Sequence, residues 1–278
     1  MTNLEFVSLV GLGSLAAGLL GSLTGLGGGV VIVPLLVLGF GVDLRYAVGS
    51  SLVSVIATSS GAAATYVREG YSNIRVGMFL EVATTLGALG GAYLAGLVPA
   101  GAVAVVFGVV LLVSAYLSSR PRPEMPAEGP PDPLAARLRL DGVYPTPQGP
   151  RHYHVRRVPL GFGLMFVAGA LSGLLGIGSG ALKVLAMDQA MGLPFKVSTA
   201  TSNFMIGVTA AASAGVYLRR GWLDPGLTMP VMLGVLLGAA VGARLLPRAR
   251  VKALRLLFAL VIVALAVQMI VKGLTGRL

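Results

Sequence analysis

The chain has 278 residues, 55% of them hydrophobic and only 11% charged, with a net charge of +11, no cysteine and a mean hydropathy of +0.87. A soluble domain carries about 25% charged residues, so this chain lacks the polar surface to coat a water-facing globule. The missing cysteine excludes disulfides, thiolate metal sites and cysteine nucleophiles, and the positive charge argues against nucleic acid because it lies between apolar blocks rather than on an aromatic-interleaved face.

A hydrocarbon core about 30 Å thick needs roughly 20 helical residues, and the apolar blocks come at that length. The first half predicts helical segments over 5–23, 30–40, 46–67, 75–96 and 101–118. Phe6–Leu23 follows no Lys or Arg and takes part in the repeat described below, so it is expected to be mature structure rather than a cleaved leader. Residues 119–157 are rich in Arg and Pro and hold no apolar run of spanning length; they read as an exposed, flexible linker. His152 and His154 flank Tyr153 there, and without a third ligand nearby they read as solvated loop, with no metal site expected.

After the linker the pattern recurs, with helical segments predicted over 158–175, 181–191, 197–218, 225–246 and 253–271. Laying residues 17–91 on 168–242, an offset of 151 without a gap, gives identity at 20 of 75 positions. That exceeds chance even for a Gly/Ala/Leu/Val-rich chain and marks an internal duplication. The fold class is therefore all-α: a polytopic integral membrane protein of two repeats, each of about five helical segments, with residues 1–118 and 158–278 joined by the linker at 119–157.

Loop charge orients the repeats. The turn Leu97–Val103 has no Lys or Arg, whereas its counterpart carries Arg248, Arg250, Lys252 and Arg255. Arg156 and Arg157 precede the second repeat, and nothing basic precedes the first. Positive loops face the cytoplasm. The repeats are then inverted in a multi-pass protein of the cell membrane, with the linker cytoplasmic and both termini outside. Arg219 and Arg220, falling outside, count against this orientation.

Three features point to chemistry. The first is Thr24-Gly25-Leu26-Gly27-Gly28-Gly29 and its mate Gly176-Ile177-Gly178-Ser179-Gly180. Glycine costs about 1 kcal/mol relative to Ala inside a helix, and bilayer backbone leaves helical geometry only where protein or a watery cavity covers it. Breaks at matched places point to a site between repeats, with freed N–H groups at Gly27, Gly28, Gly29, Gly178, Ser179 and Gly180 available to an anion. The alternative is tight helix crossing.

The second feature is the hydroxyl-rich start of the third segment in each half: Ser50 and Ser51, aligned with Thr201 and Ser202, followed by Asn203. These groups suit anion oxygens, or else helix capping and interhelical hydrogen bonds. The third is a set of ionisable residues inside apolar blocks, which are costly there and default to function. Lys183, three residues past Gly180, would add charge for an anion, with Asp188 as its partner or an interfacial cap; Glu81 is the candidate for proton coupling. Arg68 and Arg219, each two residues after a tyrosine, read first as interfacial anchors.

The run Gly25 to Pro34 with Ala47 to Leu52, and the run Gly176 to Asp188 with Val197 to Phe204, resemble the sulfite exporter TauE/SafE family. The resemblance covers nearly all of the chain outside the linker. It implies a permease of small sulfur-containing anions, such as sulfite or C2–C3 organosulfonates, acting in many members as an exporter. Leu185 stands where Pro34 stands in the first half, and Ser179 interrupts the second glycine run.

The reading is a secondary transporter, not an enzyme, whose partners are a small anion and the lipid bilayer. There is no G-x-x-x-x-G-K-[ST] string for ATP, no cofactor is expected, and an ion gradient or the substrate's own gradient would drive it. The alternative is a channel or a permease for another small inorganic or carboxylate anion.

Overall fold

The computed structural model describes residues 3–24, 29–68, 70–119, 132–146, 149–245 and 251–276. Its helices are α1 (Asn3–Thr24), α2 (Gly29–Pro34), α3 (Leu44–Arg68), α4 (Ile74–Leu94), α5 (Ala100–Ser119), α6 (Pro133–Arg137), α7 (Val158–Leu175), α8 (Gly180–Leu185), α9 (Phe195–Arg219), α10 (Pro225–Leu245) and α11 (Val251–Thr275). The short helices α2 and α8 each run on into a wider π turn, Leu35–Gly39 and Ala186–Ala190.

The first helix of each half packs on the fourth helix of the other: α1 on α10, and α7 on α4. Between these pairs α3 crosses α9, with α3 also against α10 and α9 against α4; α5 and α11 form a further pair. Glycine allows the close approaches. A Cβ on Gly87 of α4 would strike the Phe166 carbonyl of α7, and one on Gly238 of α10 would strike the Leu15 carbonyl of α1. Both contacts recur at the offset of 151, so the same backbone-to-backbone seam is built twice.

Helix α4 shows why its sequence sits where it does. Met78, Val82, Leu86, Leu89 and Tyr93 form an exposed stripe at helical spacing, suited to lipid. Gly77, Leu80, Glu81, Thr84, Gly87, Ala88 and Gly91 face inward. Helices α4 and α7 are both apolar over a bilayer-crossing length. The longer α3 and α9 are less apolar, and their buried Ser and Thr residues lie at the centre of the molecule.

The described part of the linker corrects the expectation of a flexible, exposed segment. Helix α6 is followed by a hairpin of β1 (Gly142–Thr146) and β2 (Gly149–Tyr153), antiparallel with Val143 opposite His152. Ala135, Leu140, Tyr144, Tyr153 and Val155 are buried in one apolar cluster with α4 and α7 residues. Asn73, ahead of α4, ties it down: its side-chain amide donates to the Leu140 carbonyl (2.9 Å) and the Tyr153 hydroxyl (2.8 Å). The linker's apolar residues are spaced as a small cap rather than a span. His154 pairs with Asp141 at 3.0 Å.

Candidate functional site

The second glycine run is a true break. Helix α7 ends at Leu175, and Gly176, Gly178 and Ser179 all take positive φ (69°, 67° and 44°) before α8 begins at Gly180. Left-handed geometry is unusual and unfavourable for a serine. Where the first half has Gly28, this half keeps a strained Ser179 whose buried hydroxyl has no partner among the described residues. Of the first run, Gly25–Gly28, including the candidate donors Gly27 and Gly28, lies outside the described residues; Gly29 opens α2 and is buried.

Ser51 joins the start of α2 to the second break. From α3 its hydroxyl donates to the Gly176 carbonyl at 2.8 Å and lies 3.4 Å from that of Gly29. A Cβ on Gly29 would sit 3.2 Å from the Gly176 oxygen. Ser202, its mate on α9, donates to the Gly180 carbonyl at 3.4 Å. Gly29, Ser51, Gly176, Gly178, Ser179, Gly180 and Ser202 thus gather where α3 crosses α9.

The other hydroxyls do different work. Ser50 pairs with Thr228 of α10 at 3.0 Å, and Thr201 accepts from the Asn73 backbone N–H at 3.0 Å. These are interhelical ties, one from each half. Asn203 bonds back to the Thr199 carbonyl.

Lys183 is fully buried, and its ammonium donates to Thr209 Oγ1 at 2.6 Å. Thr209 in turn donates to Glu81 Oε1 at 2.7 Å, and Thr85 reaches the same oxygen at 3.1 Å. The expected pairing of Lys183 with Asp188 is therefore corrected: its ion partner, through one hydroxyl, is Glu81. Glu81 is itself buried. Chain direction explains the choice. Ser198 meets Leu193, and Ser202 meets Gly180, so α8 and α9 run antiparallel. Thr209 lies two turns beyond Ser202, and helical side chains lean toward the helix N-terminus. The Lys183 side chain accordingly leans back toward the start of α8, away from Asp188, and its ammonium meets Thr209.

Residues 10–269 match the family model described as Sulfite exporter TauE/SafE. The chain belongs to the TauE/SafE family. It is similar over most of its length to proteins described as probable membrane transporters. It is 29% identical over 97% of its length, and 99% of the relative's, to the probable membrane transporter protein YunE of Bacillus subtilis (strain 168). It is 28% identical to YdhB of the same organism, over 79% of this chain and 82% of that one. A probable membrane transporter protein of Xylella fastidiosa (strain 9a5c) is 26% identical over 97% of both chains. No solved structure matches. This TauE/SafE chain is a helical membrane transporter rather than an enzyme.

Sequence reasoning missed Thr209. Two signals pointed to it: it is one of the identities of the repeat, matching Thr58, and it stands seven residues after Ser202 on the same helix face. The polar relay has no twin. At the offset of 151, Glu81 corresponds to Met232 and Lys183 to the fully buried Ile32, so neither charge recurs on the Thr58 side of the repeat.

Proposed function

We propose that this TauE/SafE chain is a secondary transporter of a small oxyanion, sulfite or a C2–C3 organosulfonate, bound between the repeats where the two glycine breaks meet. The observation that carries this is Ser51, whose hydroxyl lies within hydrogen-bond reach of a carbonyl from each break. The second break also holds a buried Ser179 hydroxyl with no partner among the described residues, and the short helix that follows it carries Lys183. A helix N-terminus contributes roughly half a positive charge, so two breaks and one ammonium match the charge of a small oxyanion without a rigid cation cage that would hold it too long. The protein sits in the cell membrane with the linker cytoplasmic and the termini outside, and export follows the substrate's outward gradient.

Binding of sulfite and ethanesulfonate to purified protein tests this reading. Gly28→Leu and Ser179→Leu should each abolish binding, and Ser179→Leu should also lower the thermal unfolding midpoint, because Ser179 is buried at a φ of 44°. Lys183→Met should weaken binding more than Arg219→Met, because Lys183 is buried and Arg219 is exposed. Full affinity in both glycine-run variants would place the site elsewhere.

A further inference from the structure

We infer that Glu81 is a proton-binding site that decides whether Lys183 serves the anion, with Thr209 as the positioning residue between them. The inference rests on the anion site proposed above. The Thr209 hydroxyl accepts from one charged group and donates to the other, at 2.6 and 2.7 Å. Glu81 Oε1 takes hydrogen bonds from both Thr209 and Thr85, whereas Oε2 is buried with no partner among the described residues. An unpartnered carboxylate oxygen in apolar surroundings is costly, and a proton is the smallest ligand that satisfies it.

With Glu81 ionised, the relay is neutral: the ammonium is matched through one hydroxyl, and an anion at the break meets only the partial charges of the helix ends. Protonation forms an O–H bond at Oε2, drawn from water, and breaks none in the protein. Oε1 still accepts from Thr209, and the relay now carries one positive charge, on the ammonium, which favours an anion at the break. An anion and a proton then bind together and leave together.

Few other charges face Glu81. Helix α7, packed on α4, has no ionisable side chain. On α9, Lys196 and Arg219 lie at the two ends, and Tyr217 donates to the Gly173 carbonyl. On α4, Arg75 is at the start of the helix and reaches the Arg139 carbonyl. Asp188 lies in the π turn, on the far side of α8 from the break. Lys183 is the charged group that the relay presents to Glu81.

By linkage, each favours the other equally. Anion affinity should fall about tenfold for each pH unit above the range where Glu81 is protonated, with about one proton taken up per anion. For a monovalent anion the transported unit is neutral, so the outward substrate gradient drives release without help from the membrane potential.

The test is calorimetric titration of the purified full chain with ethanesulfonate, which stays ionised from mildly acidic to mildly alkaline pH. Any proton taken up therefore belongs to the protein, and two buffers of different ionisation enthalpy count it. Wild type should take up about one proton per anion. Glu81→Gln, an uncharged isostere, should bind with the low-pH affinity of wild type at every pH and take up none. Thr209→Val should flatten the pH dependence, and Thr209→Ser should restore it, which a purely structural threonine would not do. Binding by wild type without proton uptake, or uptake persisting in Glu81→Gln, overturns the relay and leaves the anion site standing. Failure of both ethanesulfonate and sulfite to bind at any pH overturns the two together.

Discussion

Ser51 and Ser202, 151 residues apart, each place a hydroxyl 3.4 Å from the first carbonyl of a short helix, Ser51 on Gly29 and Ser202 on Gly180. Among the described residues, Ser51 also reaches the opposite break, at 2.8 Å from the Gly176 oxygen. A buried carbonyl left without its donor costs about 1–3 kcal/mol. Ser51→Ala should therefore lower the thermal unfolding midpoint more than Ser202→Ala, and should also weaken anion binding. Equal shifts in a paired thermal assay would deny Ser51 its bridging part.

The glycines of α4 are not equivalent. A Cβ at Gly87 meets the Phe166 carbonyl, while one at Gly90 meets nothing within 4 Å. Gly90→Ala should be neutral or stabilise by up to about 1 kcal/mol, since Ala is the better helix former. Gly87→Ala has to force α4 and α7 apart and should destabilise by about 1–3 kcal/mol. Thermal unfolding of the two variants in one detergent compares them directly.

Topology can be read with single cysteines, because the chain has none of its own. Asn3→Cys should label with an impermeant thiol reagent from outside the cell. Val143→Cys, exposed on the linker hairpin, should label only after the membrane is opened. If both label from the same side, the inverted arrangement falls.

The linker cap should be sensitive to acid. Asp132 accepts from the backbone N–H groups of Val158 (3.0 Å) and Leu134 (2.8 Å), and the Val158 bond above all holds its carboxyl below the usual carboxylate range. A carboxyl with a depressed folded pKa stabilises above its unfolded value, near about 4, and that stability is lost as pH falls through the folded value. Amide exchange over 132–157 should rise on acidification below about pH 4, and Asp132→Asn should remove much of that dependence. Asn73→Ala should speed exchange in β1 and β2 at every pH, as it removes the bonds to Leu140 and Tyr153.

The spans were legible because bilayer-length apolar blocks leave little choice of structure. The segment expected over 158–175 is α7, Val158–Leu175. The second break was legible as well, since glycines at matched places in a repeat have few other uses. The partner of Lys183 was not: Glu81 stands about a hundred residues away in sequence, and only the antiparallel course of α8 and α9 carries the ammonium toward Thr209. The cap escaped notice because proline-rich composition hides short apolar contacts such as Leu140 and Tyr153, which gain meaning only against α4 and α7. Of the many glycines, composition could not say which open a break and which let two backbones touch.

The one-sided relay bears on ancestry. An assembly of two identical copies would have to carry the same residue at both equivalent places, so a buried glutamate or lysine would come twice or not at all. Joining the copies in one chain freed Ile32 and Met232 from following Lys183 and Glu81. A single relay of unlike charges is thus a feature that one chain with two unlike halves can hold and a pair of identical copies cannot.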